Sequence, residues 1–376
     1  MSKNIVICCD GTNNQLEGDL TNVVRIFQVA LQNAEQAAFY DPGVGTMASP
    51  EATGPISSRW SMFKGLAFGA GFQENVFEAY RYLMRTYQEG DRIFLFGFSR
   101  GAFTVRTLAG MLHGVGLLTP GSENLLPYLW RHYLGIRILP KGATQSQIDA
   151  AKKYDASTEV LRASFTRPCP VAFLGPWDTV GSVGMYNANQ AFPFTYENPS
   201  VAVVRHAVSL DERRCGFRSN VFKSDDTPLP GTGRPRVMNV WFPGVHSDIG
   251  GGYPWPESGL AMISYQWMVR EARAFGLLVD EARLSGLLAG CRPDPAAQIH
   301  ESLTGAWKAL EYVPARRYNW KTAKTEWRRQ PNKPRTLAVA EVFLHRSILD
   351  RLQAKPEYRP PNLPAGDLAA QFKIED

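Results

Sequence analysis

Residues 93–103 read Ile93-Phe94-Leu95-Phe96-Gly97-Phe98-Ser99-Arg100-Gly101-Ala102-Phe103. A short apolar run enters a Gly-x-Ser-x-Gly turn, and Ala102 to His113 then carries helical spacing. A serine at such a strand-to-helix turn is held in a strained conformation with its hydroxyl exposed at the sheet's C-terminal edge. Gly97 and Gly101 are small because strand and helix approach closely there. Ser99 is therefore the candidate nucleophile. The N–H of Arg100, at the helix start, can donate to an oxyanion with help from the helix dipole. The bland alternative is a simple Gly-rich turn.

The pattern continues on both sides. Ile5 to Cys9 reads as a buried strand that turns at Asp10-Gly11-Thr12-Asn13. Asn22 to Gln32 has helical spacing with Thr21 or Asn22 as its cap. Ala37 to Tyr40 reads as a strand and Phe72 to Tyr87 as an amphipathic helix. Downstream, Val171 to Leu174 reads as a strand, Pro199 to Leu210 as a helix, Val237 to Phe242 as a strand and Leu260 to Phe275 as a helix. Continuous apolar strands alternating with amphipathic helices predict an α/β fold, with a mostly parallel sheet covered by helices on both faces. Two stretches interrupt it, about 114–156 and 182–198. After about Leu278 the alternation fades into an irregular, partly helical C-terminal extension, expected to pack on the same domain.

A serine nucleophile needs a base and an orienting acid, here expected in the order Ser, Asp or Glu, His. Asp178 closes the strand-like Val171-Ala172-Phe173-Leu174-Gly175-Pro176-Trp177 and is the leading acid, ahead of Asp211 and Asp248. His246 follows the strand 237–242 on a Gly-rich loop and is the leading base, with His300 and His345 as alternatives. His113 and His206 fall within helical patterns and read as packing residues. The second oxyanion donor is expected from the N–H of Gly11 or Thr12, with Asp10 and Asp248 as loop organisers. Asp10, Asp178 and Asp248 could also converge on magnesium or calcium, but no metal or other cofactor is expected.

The chain has 376 residues, ordinary apolar content and a formal charge of +6. These values exclude intrinsic disorder and allow one large domain or two ordinary ones. Five scattered cysteines, with no CxxC or Cys/His cluster, support neither a disulfide framework nor a zinc site. No apolar run of ~18 residues can span a bilayer, and Met1 to Asp10 lacks the features of a signal peptide. Synthesis in the cytoplasm is expected.

Several strings together resemble one family: CCDGTNNQ, NVVRIF, FYDPGVGT, GFQENVFEAYRYL, GDRIFLFGFSRGAFTVRTLAGMLHGVGLL, FLGPWDTVGSVG, HAVSLDERR and WFPGVHSDIGGGYP, in that order over roughly residues 1 to 275. The chain resembles the α/β-hydrolase catalytic domains of type VI secretion phospholipase effectors, formerly a domain family of unknown function. With the alternation fading at about 278, the catalytic domain is expected over 1–278, and the resemblance implies Ser99 as nucleophile, Asp178 as acid and His246 as base. It also implies hydrolysis of acyl esters, glycerophospholipids in characterised relatives. It further implies export by type VI secretion, with a secretion-apparatus or immunity protein as partner. The competing readings are an esterase for a non-lipid ester and an idle hydrolase fold used as a binding scaffold.

Leu117 to Trp130 and Met185 to Tyr196 supply either a lid or acyl channel for a lipid, or additional core. Residues 301–360 hold thirteen Lys/Arg against six Asp/Glu, a net +7, so the rest of the chain is nearly neutral. Trp307, Tyr312, Tyr318, Trp320 and Trp327 are interleaved with these charges. Basic and aromatic residues together suit peripheral contact with an anionic membrane, and a solvated face is the bland alternative. Nucleic acid is not expected as a partner.

Overall fold

A computed structural model describes residues 2–11, 19–43, 65–139, 142–180, 192–312, 315–319, 324–328, 331–337 and 342–376. The first half runs β1 (Asn4–Cys9), α1 (Asn22–Val29), β2 (Gln36–Asp41), α2 (Gly65–Thr86), β3 (Arg92–Phe98), α3 (Arg100–Val115), β4 (Leu117–Leu118), α4 (Leu126–Gly135) and α5 (Gln145–Phe165). It continues with β5 (Thr166–Arg167), β6 (Val171–Trp177), β7 (Val201–Ser209), β8 (Asp225–Pro228), β9 (Pro235–Phe242), α6 (His246–Gly250), α7 (Gly259–Ala274) and α8 (Glu281–Gly290). The last elements are α9 (Ala306–Leu310), β10 (Ala315–Asn319), β11 (Lys324–Arg328), β12 (Phe343–His345), α10 (Ser347–Ala354), α11 (Leu368–Gln371) and β13 (Lys373–Glu375).

The main sheet has the order β13-β12-β9-β7-β6-β3-β1-β2, with β8 added antiparallel to β9. Every other pairing in it is parallel. Strands alternate their side chains, so each strand feeds both faces. Ile5, Ile7, Ile93, Leu95, Val171 and Leu174 join one buried cluster with Val76, Leu83, Leu108 and Leu112 of α2 and α3. Val6, Cys8, Phe94, Phe96, Phe173 and Trp177 join another with Val23 and Ile26 of α1 and Met262 and Met268 of α7. Burial on both faces explains why these strands are continuously apolar rather than alternating.

Three expectations change. The stretch 199–210, expected to be a helix, is the strand β7, between β6 and β9. Its Val201, Val203, Val204 and Val208 are β-branched and favour extended backbone; a short apolar run has no period that separates it from a buried helix. His206 therefore lies on a strand. Beyond 278 the chain adds two more strands to the same sheet, β12 on β9 and β13 on β12. Val342, Leu344, Ile348, Leu368 and Phe372 from that region pack with Val208, Leu210 and Trp241 as a third buried cluster. These strands have three residues each, too short to carry a periodic signal.

The leucines and the tryptophan of the insert after α3 belong to the core rather than to a free lid. Leu117, Leu118, Leu126, Leu129 and Trp130 are all buried in the α2/α3 cluster, and Leu125 packs against it partly buried. Phe192 of the second insert is buried there too, in edge contact with Phe72 and Phe103. Met185 and Tyr186 lie outside the described residues.

Candidate active site

The Gly-x-Ser-x-Gly string forms the turn between β3 and α3. Ser99 has φ 58° and ψ −117°, a strained conformation for a residue with a side chain. A Cβ on Gly97 would meet the Gly101 carbonyl oxygen at 2.5 Å, and one on Gly101 would meet the Cys9 carbonyl oxygen at 2.0 Å. The two glycines thus let strand and helix touch, and let the helix start press against the end of β1.

Asp178 follows β6, beside β3, and also has positive φ, 36°. Its N–H donates to the Ala207 carbonyl of β7 at 2.7 Å. Thr179 is tied to His206, whose Nε2 accepts the Thr179 N–H at 3.2 Å while Nδ1 faces Asn239 Oδ1 at 3.1 Å. His206 is fully buried and, through desolvation, pushed down to about 3, so it acts as a neutral brace. His246 opens α6 just beyond β9, across β7 from Asp178. The three residues meet at the C-terminal ends of parallel strands, where open α/β sheets place their ligands. His246 Nε2 lies 2.8 Å from Ser99 Oγ, and His246 Nδ1 lies 2.6 Å from Asp178 Oδ2.

Phe98 packs on the His246 ring at 4.6 Å and Phe217 meets it edge-on at 4.9 Å. Burial lowers the pKa of His246, against the raising effect of Asp178. That leaves the imidazole neutral near pH 7, able to accept a proton. Burial alone would raise the Asp178 carboxyl, but Arg335 and His246 outweigh it and hold it well below the usual range.

The family model for the catalytic domain of Tle1-like phospholipase effectors of type VI secretion matches residues 3–271. This chain belongs to that family. A relative in Saccharomyces cerevisiae, the uncharacterized protein YEL023C, is 34% identical over 239 residues, covering 61% of this chain and 33% of its own length. An uncharacterized protein of known structure from Pseudomonas aeruginosa aligns at 19% identity and a TM-score of 0.42, over 74% of this chain and 47% of that one. The structure of the Tle1 effector bound to the VgrG spike of the type 6 secretion system aligns at 18% identity and a TM-score of 0.36, over 69% of this chain and 52% of that one. The chain thus spans about a third of the yeast relative and about half of each solved structure.

Other expected groups of this Tle1-like domain have separate partners. Asp10 Oδ2 accepts from Thr21 Oγ1 at 2.5 Å and from the Tyr40 hydroxyl at 3.0 Å, and Thr21 caps α1. The Gly11 N–H donates to Asp10 Oδ1 at 2.7 Å, so the turn itself uses a donor that was expected to face an oxyanion. Thr12 lies outside the described residues. Asp248 accepts from the Val245 N–H at 3.0 Å and faces His300 Nδ1 at 2.6 Å, which braces the turn that presents His246. Asp10, Asp178 and Asp248 are each engaged with different groups, and among the described residues no cluster of His, Cys, Asp and Glu suits a metal. His300 is held between Asp248 and Glu257, and His345 is buried against Ser347 and Phe242, so neither alternative base is bonded to Ser99. Asp211, an alternative acid, accepts from the Gly244 N–H at 2.6 Å and fixes the loop before His246.

Sequence reasoning missed Arg335, Glu212 and Ser209. Arg335 donates to both oxygens of Asp178, at 2.5 and 3.0 Å, and Ser209 adds a backbone N–H at 2.9 Å. Glu212 accepts the His246 N–H at 3.2 Å and two side-chain hydrogen bonds from Arg214. Burial would raise the Glu212 carboxyl, but Arg214 pulls it down to about 2. Glu212 and Arg214 sit in a dense charged run, Asp211-Glu212-Arg213-Arg214, unusual directly after a buried strand; that was the available signal. Arg335 carried none, being one base among thirteen in its segment.

Proposed function

We propose that this chain is a serine ester hydrolase that cleaves acyl esters of phospholipids. The observation that carries the reading is the unbroken hydrogen-bonded chain Ser99–His246–Asp178 at the edge of a parallel sheet. In the mechanism, His246 takes the Ser99 proton through Nε2 as Oγ attacks the ester carbonyl. Asp178 holds the Nδ1–H and stabilises the imidazolium. The Arg100 N–H, at the start of α3, receives the oxyanion. His246 then protonates the leaving alcohol and activates a water that releases the fatty acid. No cofactor takes part in these steps.

Phospholipid is favoured among esters because the matching family is one of phospholipase effectors. Type VI export, a secretion-apparatus or immunity protein as partner and peripheral membrane contact through the basic segment belong to the same proposal. Among the described residues no helix is long and apolar enough to cross a membrane.

The test is labelling with a fluorophosphonate, mapping of the labelled residue, and mass spectrometry of products from defined phospholipids. Ser99 labelled, with fatty acid released, is the expected outcome. Normal esterase activity in Ser99→Ala would end the reading, and label without fatty acid would move it to another ester.

A further inference from the structure

We infer that Arg335 is a positioning residue for the Ser99–His246–Asp178 chain, clamping the Asp178 carboxylate from a segment beyond the family-matched core. The inference rests on the hydrolase reading above. The Arg335 side chain is 1% exposed, as is that of Asp178. One terminal nitrogen of the guanidinium reaches Asp178 Oδ1 at 2.5 Å and the other reaches Oδ2 at 3.0 Å. The fork has its own supports: one nitrogen also donates to the Ser209 carbonyl at 2.9 Å, and Nε donates to the Phe217 carbonyl at 3.1 Å. Phe217 is also the residue whose ring meets His246 edge-on. Arg214 lies over that ring, its guanidinium carbon 3.6 Å from the centroid.

Two consequences follow from this arrangement. Oδ1 is taken by Arg335 and the Ser209 N–H, and Oδ2 by Arg335 and His246, so the carboxylate cannot rotate and its Oδ2 lone pair stays aimed at Nδ1. A planar two-pronged donor does this and a lysine cannot. The positive charge also offsets Asp178. A bare buried carboxylate 2.6 Å from Nδ1 would hold a proton on His246 and take the base out of use at mildly acidic pH. The groups facing His246 are Ser99 at Nε2, Asp178 at Nδ1, Glu212 at its backbone N–H, Arg214 over Phe217, and the rings of Phe98 and Phe217. Those facing Asp178 are Arg335, the Ser209 N–H and His246 itself.

The test uses the full chain with Arg335→Lys and Arg335→Met. Thermal melting, fluorophosphonate labelling of Ser99 and hydrolysis of a short-chain ester are followed between pH 5 and 9. In Arg335→Met, kcat should fall ~10²-fold with KM unchanged, and the acidic limb of kcat/KM should move to higher pH. Arg335→Lys, which keeps the charge and loses the fork, should restore the limb and only part of the rate. If the methionine variant does not fold, the lysine variant decides through its loss of kcat. Wild-type kcat and an unmoved limb in a folded variant would reduce Arg335 to a structural ion pair. If the wild type itself is not labelled at Ser99, the hydrolase reading fails instead.

Discussion

Gly101→Ala is the sharpest perturbation of the elbow. The new Cβ would stand 2.0 Å from the Cys9 carbonyl oxygen and 2.5 Å from that of Asp10. Ordinary contact begins at 3.4 Å, so α3 and the end of β1 must part by about 1.4 Å, and both partners are backbone that cannot rotate away. Ser99 lies two residues upstream and depends on a 2.8 Å contact with His246. A displacement of about 1 Å at a reacting group lowers turnover ~10²-fold, and overpacking costs about 1–3 kcal/mol. The assay is the second-order rate of fluorophosphonate labelling at Ser99, with the thermal midpoint measured alongside. Gly286→Ala is the control: its Cβ meets nothing within 4 Å inside α8, so it should stabilise by about 0.5–1 kcal/mol and leave labelling unchanged. If Gly101→Ala labels and melts like the wild type, the account of the elbow is wrong.

Asp178→Asn should lower kcat by ~10⁴-fold and also destabilise the fold by about 3–5 kcal/mol, because Arg335 is left buried without its counter-charge; unchanged urea midpoints would contradict the second half. Leu126→Ser with Leu129→Ser should cost several kcal/mol in stability and reduce short- and long-chain hydrolysis together, since both side chains are core; selective loss on long chains would reinstate the lid. Stability should fall in acid. Glu212 titrates at 4.5 when unfolded and at about 2 when folded, so its contribution of about 3 kcal/mol is present above pH 4.5 and is lost as pH falls toward 2. Urea midpoints at pH 7, 5, 4 and 3 measure this, and Glu212→Gln should flatten the slope. Neutralising Arg316, Arg317, Arg328 and Arg329 should abolish sedimentation with anionic vesicles if the basic segment meets a membrane; persistence would remove that role.

How much was legible follows from where each signal resides. The core strands β1, β3, β6 and β9 could be read because each is a continuous apolar run bounded by turn residues, and the elbow because Gly97 and Gly101 must be small within five residues of chain. β7 was misread: its valines suit either a buried strand or a buried helix, and only the neighbours β6 and β9, which supply its hydrogen bonds, resolve the choice. β12 and β13 were invisible because three residues cannot show a period. The net charge of the last segment overstates its free surface charge, since Arg335 and Arg351 point inward to Asp178 and to the carbonyls of Pro295 and Ala297.

The amino-acid sequence alone determined the α/β class, the strands β1, β2, β3, β6 and β9, the helices α1, α2, α3 and α7, and the serine turn. These depend on local steric limits and on hydrophobic period, which any short window of residues carries. Tertiary structure alone decided which histidine meets Ser99, that the Gly11 N–H is held in its own turn, and that Arg335, 157 residues from Asp178, grips the acid. Such choices turn on distances of about 3 Å between segments far apart in the chain, and hydrogen bonds of that length exist only once the sheet has brought the segments together.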